Sequence, residues 1–170
     1  MKTILRYLSI GFLFVVVVAV VLLFTSLGER PLTALFAVGD VESVDFAELR
    51  LTDKPNQFLM CPPDFCGADP HADSPVLDVS VERLRERWRE VVTIQPRVEL
   101  LSEGEEGQQF DYVQRSVRFR FPDLVTVRLI SVSSSQSTLA IYSRSVYGKS
   151  DFSVNRERID AWLKTLREGL

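Results

Sequence analysis

Histidine is nearly missing from this chain: His71 is the only one in 170 residues, which also hold just two cysteines. One imidazole argues against a Ser/His or Cys/His nucleophilic site. No G-x-S-x-G, H-E-x-x-H, phosphate-loop glycine run or dinucleotide fingerprint occurs either. Carboxylates cluster only as loop aspartates, with no spacing that would hold two of them across a substrate. An excess of positive charge is lacking too. The net charge is −3, and it becomes −5 once residues 1–27 remove Lys2 and Arg6 and no acid, which argues against general nucleic-acid binding. Hydrophobic residues make up 46%, so the chain is neither disordered, collagenous nor disulfide-dense. Its length suits one domain. Whether the protein is an enzyme stays open; the reading leans to a non-catalytic role without a cofactor.

The longest gap is in charge. Leu8–Leu27 reads LSIGFLFVVVVAVVLLFTSL, 20 residues without a charged side chain. A helix of that length spans about 30 Å, the thickness of a bilayer hydrocarbon core. Lys2 and Arg6 precede it and no acid occurs before Glu29. The positive-inside bias therefore places the N-terminus in the cytoplasm and the rest in the periplasm or cell exterior. Tyr7 and Phe24 stand near the two ends, where aromatic rings suit the interface. The alternative is a cleaved signal peptide, with small residues at Ser26-Leu27-Gly28. The unbroken apolar run Ile10–Phe24 sits at the upper limit of a signal core, about 7–15 residues, which favours a retained anchor. No cysteine ends the segment, so no lipidation is expected. The expected organisation is a start and single-pass anchor in the inner (cytoplasmic) membrane over 1–27, a juxtamembrane linker over 28–44 and an exported domain over 45–170.

Cys61-Pro-Pro-Asp-Phe-Cys66 places two thiols four residues apart. In an exported domain they favour a disulfide pinning a loop. A redox-active pair is the alternative, although the spacing is not C-x-x-C. A metal would need further ligands, and Asp64, Asp69, His71 and Asp73 match no zinc spacing; no metal site is expected, and His71 reads as a solvated loop residue. The surrounding segment Thr52–Pro75 holds five prolines and four aspartates and reads as loop. Val44–Leu51 alternates weakly, as a short strand or extended arm.

Ser80 suits an N-cap. Val81, Leu84, Trp88, Val91 and Val92 then recur near a 3.6 period, predicting an amphipathic helix over 80–92. Its charged residues alternate in sign and read as a solvated face. After Pro96 the period becomes two. Arg97–Leu101, Phe110–Phe121, Leu124–Val132 and Thr138–Arg144 are predicted strands, with turns at Ser102–Gln109, Pro122-Asp123 and Ser133–Ser137. A final helix carries the stripe Val154, Ile159, Trp162, Leu163 and Leu166, capped by Asp151 or Ser153. The expected fold class is α+β: a transmembrane helix, then a two-layer domain in which a four-stranded antiparallel sheet carries two helices on one face.

Alternation sorts the strands into two faces. Val113, Val117, Phe119, Val125, Val127, Leu129, Leu139 and Ile141 would receive the helices. Tyr112, Gln114, Ser116, Arg118, Arg120, Thr126, Arg128, Tyr142 and Arg144 would face outward. Such a face is ordinarily solvated. Four arginines on one face of an acidic protein nevertheless nominate Arg118, Arg120, Arg128, Tyr142 and Arg144 as a surface for an anion or partner, since guanidinium forks bind carboxylates and phosphates bidentately. Arg115 falls on the apolar face by strict alternation, which calls for a bulge or an acidic partner.

The stretch Ser143-Arg144-Ser145-Val146-Tyr147-Gly148-Lys149-Ser150-Asp151-Phe152-Ser153-Val154-Asn155-Arg156-Glu157-Arg158 resembles the end of the bacterial and plastid domain-of-unknown-function family fourteen-ninety-nine. There the pattern is roughly S-R-S-x-x-G-x-S-D-x-G-x-N-R-x-R before a C-terminal helix. Asp45-Phe46, Lys54-Pro55-Asn56-Gln57, Cys61-Pro62-Pro63 through Cys66, and Arg120-Phe121-Pro122-Asp123 add to the likeness, which spans about 45–168. It implies a membrane-associated or exported domain and no particular chemistry. Ser153 stands where the family usually has glycine, so the position is expected not to need positive φ. Within the motif, Gly148, Ser150, Asp151 and Asn155 read as a structural junction, with Gly148 relieving a turn and Arg144 and Arg156 clamping Asp151. The alternative is an anion site at the helix N-terminus with Arg144, Arg156 and Arg158. The function these readings support is a membrane-anchored binding or scaffolding domain in envelope maintenance or assembly. Its partner would be a protein, an anionic lipid or an anionic small molecule, not nucleic acid. The alternatives are a redox factor or unrecognised enzyme using the Cys61–Cys66 loop, and a structural subunit of a membrane complex.

Overall fold

The computed structural model describes residues 2–25, 29–39, 41–104 and 106–170. The chain forms two compact units, Met1–Ala37 with Ser116–Phe121, and Val38–Arg115 with Pro122–Leu170.

In the first unit, α1 (Lys2–Phe24) is a single unbroken helix, and its stretch Thr3–Leu22 is long and apolar enough to cross a membrane. The hydroxyls of Ser9 within it and of Thr25 just beyond it donate back to the carbonyls of Leu5 (2.8 Å) and Val21 (2.6 Å). That is how hydroxyls persist in an apolar helix. The signal-type site Ser26-Leu27-Gly28 lies outside the described residues. Part of the expected linker is helical instead, since α2 covers Glu29–Leu35; Pro31 stands in its first turn, where a missing N–H leaves no helical bond unmade. Ser116–Phe121 is a tight turn rather than the end of a strand. The Ser116 N–H donates to the Phe121 carbonyl (2.9 Å), and the Phe121 N–H donates to Ser116 Oγ (3.0 Å).

The second unit is α+β. Its sheet has six strands in the order β2-β1-β6-β5-β4-β3: β1 (Gln57–Cys61), β2 (Ala72–Asp73), β3 (Val98–Glu103), β4 (Gln109–Arg115), β5 (Pro122–Ser131) and β6 (Ser137–Ser145). β1 pairs with β2 in parallel, and every other pairing is antiparallel. The expected four-stranded antiparallel sheet is therefore corrected to a mixed one. The missed β1 is buried at all five positions, so it shows no polar alternation, and it lies in a proline-rich segment that reads as loop. Pro122 and Asp123 begin β5 instead of forming a turn. Proline is accepted at the first position of a strand.

α3 (Val81–Thr93) and α4 (Val154–Arg167) pack on one face of the sheet. Ser80 caps α3 as expected, Oγ accepting from the Arg83 N–H at 3.4 Å. Beneath the helices lie Phe58, Val125, Leu129, Leu139 and Ile141, with Trp88 and Trp162 tilted together at 5.8 Å. Trp88 Nε1–H donates to Tyr112 Oη (3.2 Å), and the Tyr112 ring meets Trp162 edge-on. Tyr112 thus sits on the helix face, as does Gln114, while Val113 and Arg115 point the other way. The expected phase of β4 is one residue out. Val113 and Tyr112 are both buried, at 1% and 4% exposure, so hydrophobicity does not report which face is which. Carrying the strand on through Val117 and Phe119 selected the wrong phase.

The opposite face is not simply solvated. A smaller core of Phe46, Leu59, Cys61, Ala140 and Tyr142 lies there, covered by an irregular arm through residues 44–51 and by the Cys61–Cys66 loop. The two cysteines form a disulfide, with Cα atoms 6.3 Å apart. Closing so short a loop is worth about 2 kcal/mol in the chain-entropy account. Gly67 lets the loop touch the arm: its N–H donates to the Phe46 carbonyl at 2.9 Å, and a Cβ there would lie 2.1 Å from the Ala47 carbonyl oxygen. His71 is an exposed loop residue, as expected, and it is also held in place. Its Nδ1 accepts the Leu59 N–H (3.0 Å) and its ring stacks on Phe58.

Burial raises the Tyr112 phenol from its ordinary 10.0 to about 12, with the Trp88 hydrogen bond opposing the rise. Between these values the unfolded phenol ionises and the folded one does not, so the folded state holds the extra proton and stability must fall as pH rises. Denaturant melts are expected to show stability level below pH 10, declining toward pH 12, with a shallower decline in Tyr112→Phe.

Candidate functional site

Two arginine centres emerge from the motif region, with opposite characters. In the first, Arg158 of α4 is 8% exposed. Its guanidinium pairs with Asp123 of β5 and donates from Nε to Gln114 Oε1 of β4. Nη1 donates to Ser143 Oγ of β6 (2.8 Å) and to Asn155 Oδ1 (2.6 Å). The Ser143 hydroxyl donates in turn to Asn155 Oδ1 (2.7 Å), whose Nδ2 donates to the Asn56 carbonyl (3.0 Å) and to Asp151 (2.7 Å). A buried cation survives where its charge is paired and its donors are used. This network ties α4 to three adjacent strands and engages all three nitrogens of the Arg158 guanidinium within the protein.

The same region sets the start of α4. Asp151 accepts the N–H groups of Ser153 (3.2 Å) and Asn155 (2.9 Å), so Asp151 is the cap. Neither Arg144 nor Arg156 clamps it; Asn155 does. Ser153 has φ +69°, and Phe152 before it +53°. The expectation that Ser153 avoids positive φ is therefore overturned. A left-handed residue at this junction is the reason glycine is at home there. Gly148 does relieve a turn, at φ +91°, and its carbonyl accepts from Asn56 Nδ2 (2.9 Å). Ser150 Oγ accepts the Phe152 N–H at 3.4 Å.

The second centre is Arg144, on the face away from the helices. It lies opposite Gln57 of β1 and Leu124 of β5, and its guanidinium stacks on the Tyr142 ring with the carbon 5.0 Å from the centroid. Tyr142 Oη donates to Gln57 Oε1 (2.6 Å), while Gln57 Nε2 holds the arm through the Thr52 and Lys54 carbonyls. On the next strands, Asp111 is 3% exposed and accepts from the hydroxyls of Thr126 (2.6 Å), Ser102 (2.7 Å) and Ser43 (3.2 Å). Ser43 and Gln57 thus hold the chain at the two ends of the arm. Between arm and sheet lies a cavity of about 700 Å³ with apolar walls from Val38, Val41, Leu49, Leu124 and Val146, and with Glu42, Glu48 and Arg50 also lining it. Arg144 Nη1 is buried there without a hydrogen-bond partner. Desolvation lowers the pKa of Arg144, and Tyr142 and Asp111 pull it back up. Burial likewise raises the Tyr142 phenol.

The remaining nominated residues do not join this cavity. Arg118 and Arg120 belong to the 116–121 turn, outside the strands. Arg128 shares Arg144's face but lies four residues along β5 from Leu124, about 13 Å at strand spacing. Arg156 is on α4, 3.8 Å from Asp160, and lines a separate cavity of about 410 Å³ with Phe58, His71 and Ser150–Ser153. Of the expected cluster, only Tyr142 and Arg144 are brought together. Periodicity does not single out Asp111, Asp123 or Gln114. A charged residue between Phe110 and Tyr112 was the available signal for Asp111.

These features define a class: an apolar N-terminal helix and an α+β domain whose mixed sheet carries an arginine-centred cavity beneath a bridging arm. A family model described as "protein of unknown function (DUF1499)" matches residues 50–166, and the chain belongs to that family. No curated protein matches the chain. The match contains both arginine centres, whereas most of the arm, residues 44–49, lies before it.

The two centres respond differently to loss. Arg158→Ala strands Asp123 in the interior and is expected to cost about 3–5 kcal/mol in denaturant melts. Arg144→Met removes a buried donor that nothing satisfies, and the same melts are expected to show no loss of stability, or a gain.

Proposed function

We propose that this protein is a single-pass membrane-anchored domain that binds an amphipathic anion between arm and sheet, without catalysing its conversion. The observation that carries this reading is the buried, unpartnered Nη1 of Arg144, a residue lining a cavity whose walls are part apolar and part charged. A desolvated guanidinium favours a carboxylate or phosphate that completes its hydrogen bonds, and apolar walls favour a hydrocarbon or aromatic body behind that group. The Asp111 carboxylate already has three hydroxyl donors, so it does not need Arg144 to satisfy it. The body faces the periplasm or cell exterior and serves envelope maintenance or assembly. Lys2 and Arg6 before the apolar helix support that orientation, and the disulfide fits an oxidising compartment. A redox role is less well supported, because Cys61 is fully buried against the arm.

Thermal melts of the full chain in nanodiscs test the binding claim with three probes: octanoate, octanol and inorganic phosphate. Octanoate is expected to raise Tm well above the effect of the other two, and Arg144→Gln to abolish the rise. An equal response in Arg144→Gln overturns the reading. For orientation, a reporter fused after Leu170 is expected to be active only when it functions outside the cytoplasm; activity confined to the cytosol overturns that assignment.

A further inference from the structure

We propose that the 116–121 turn is a second membrane contact, seating on the anionic surface of the bilayer that holds α1; this rests on the anchoring reading above. Hairpin tips are usually made of Gly, Asn, Asp and Ser. This one is Ser-Val-Arg-Phe-Arg-Phe. Val117, Phe119 and Phe121 are 64%, 47% and 37% exposed. So much apolar surface left exposed on one tight turn calls for a covering surface.

Three observations point to lipid as that surface. First, the turn belongs to the same compact unit as the apolar helix. Phe121 packs edge-on against Phe36 at 4.6 Å and stacks with Phe119 at 5.4 Å. Second, Phe36 directly follows α2, and α2 is only about 10 Å long at helical rise, so the aromatic cluster is tethered close in sequence to the end of the span. Leu35, at the end of α2, is itself 70% exposed. Third, Arg118 and Arg120 alternate with the apolar residues. Aromatic rings at headgroup level with cations beside them form an interfacial anchor, and the cations select anionic lipid.

The test uses the full chain, disulfide intact, in vesicles of phosphatidylcholine with a minority of phosphatidylglycerol. Single cysteines carrying an environment-sensitive dye replace Val117 in the turn, Val16 in α1 and Ser134 in the β5–β6 turn. Spin-labelled lipids quench either near the headgroup or at the bilayer centre. The Val117 dye is expected to be blue-shifted and quenched most by the headgroup label, with Ser134 unquenched. Adding Arg118→Glu and Arg120→Glu, or omitting phosphatidylglycerol, is expected to cut that quenching about twofold or more. If Val16 is quenched and Val117 stays aqueous, the anchor stands and this inference falls. A Val117 dye that is shielded but unquenched by lipid overturns it in favour of protein contact. If Val16 is unquenched, the anchoring reading fails and takes this inference with it.

Discussion

The buried pair between Arg158 and Asp123 is the constraint on which the α+β domain is built. It joins the last helix to β5, and through Gln114 and Ser143 it reaches the strands on either side. Each partner alone would be a destabilising charge in the interior. Together with Asn155 and Ser143 they form a network whose geometry permits one seating of α4. Asn155 extends the network to Asn56, just before β1, so the chain leading into the proline-rich loop is held by the same residues. The arrangement accounts for why a motif rich in arginine and serine has a largely architectural role.

With α4 held, the sheet is free to bury both faces. Trp88, Tyr112 and Trp162 fill one side. On the other, the arm and the disulfide loop cover Leu59, Ala140 and Tyr142. Arg144 lies where that second cover is incomplete. The contrast with Arg158 is one of saturation. Arg158 has a carboxylate and several acceptors, whereas Arg144 has an aromatic face and an empty side. A buried donor without a partner is unusual in a folded domain; Arg85 Nε is another, whereas Arg144 lines the cavity beneath the arm.

Much of the architecture was legible from periodicity. Ser80 and the Val81–Val92 stripe announced α3, and the Trp162 stripe announced α4, because an amphipathic helix writes its burial into a 3.6-residue repeat. Strands β5 and β6 were readable for the corresponding reason. β1 was not, since burial on both faces erases alternation. The phase of β4 failed similarly, with Tyr112 and Val113 both buried. At Ser153 the chain departs from its family's usual glycine yet keeps the left-handed backbone. A serine there gives no local sign of positive φ.

The amino-acid sequence by itself determined the apolar span, the two helices, the nearness of Cys61 to Cys66 and the family motif, because each rests on neighbours along the chain. Only the tertiary structure decided that Arg158 acts as structure while Arg144 keeps a buried donor unmet. Arg144 and Arg158 lie in one motif, fourteen positions apart. Their roles diverge because Asp123, Gln114 and Ser143 converge on one of them from three strands, while the other is roofed by an arm that brings no acceptor to its Nη1. Such convergence depends on strand register, and register is settled by packing across the whole sheet.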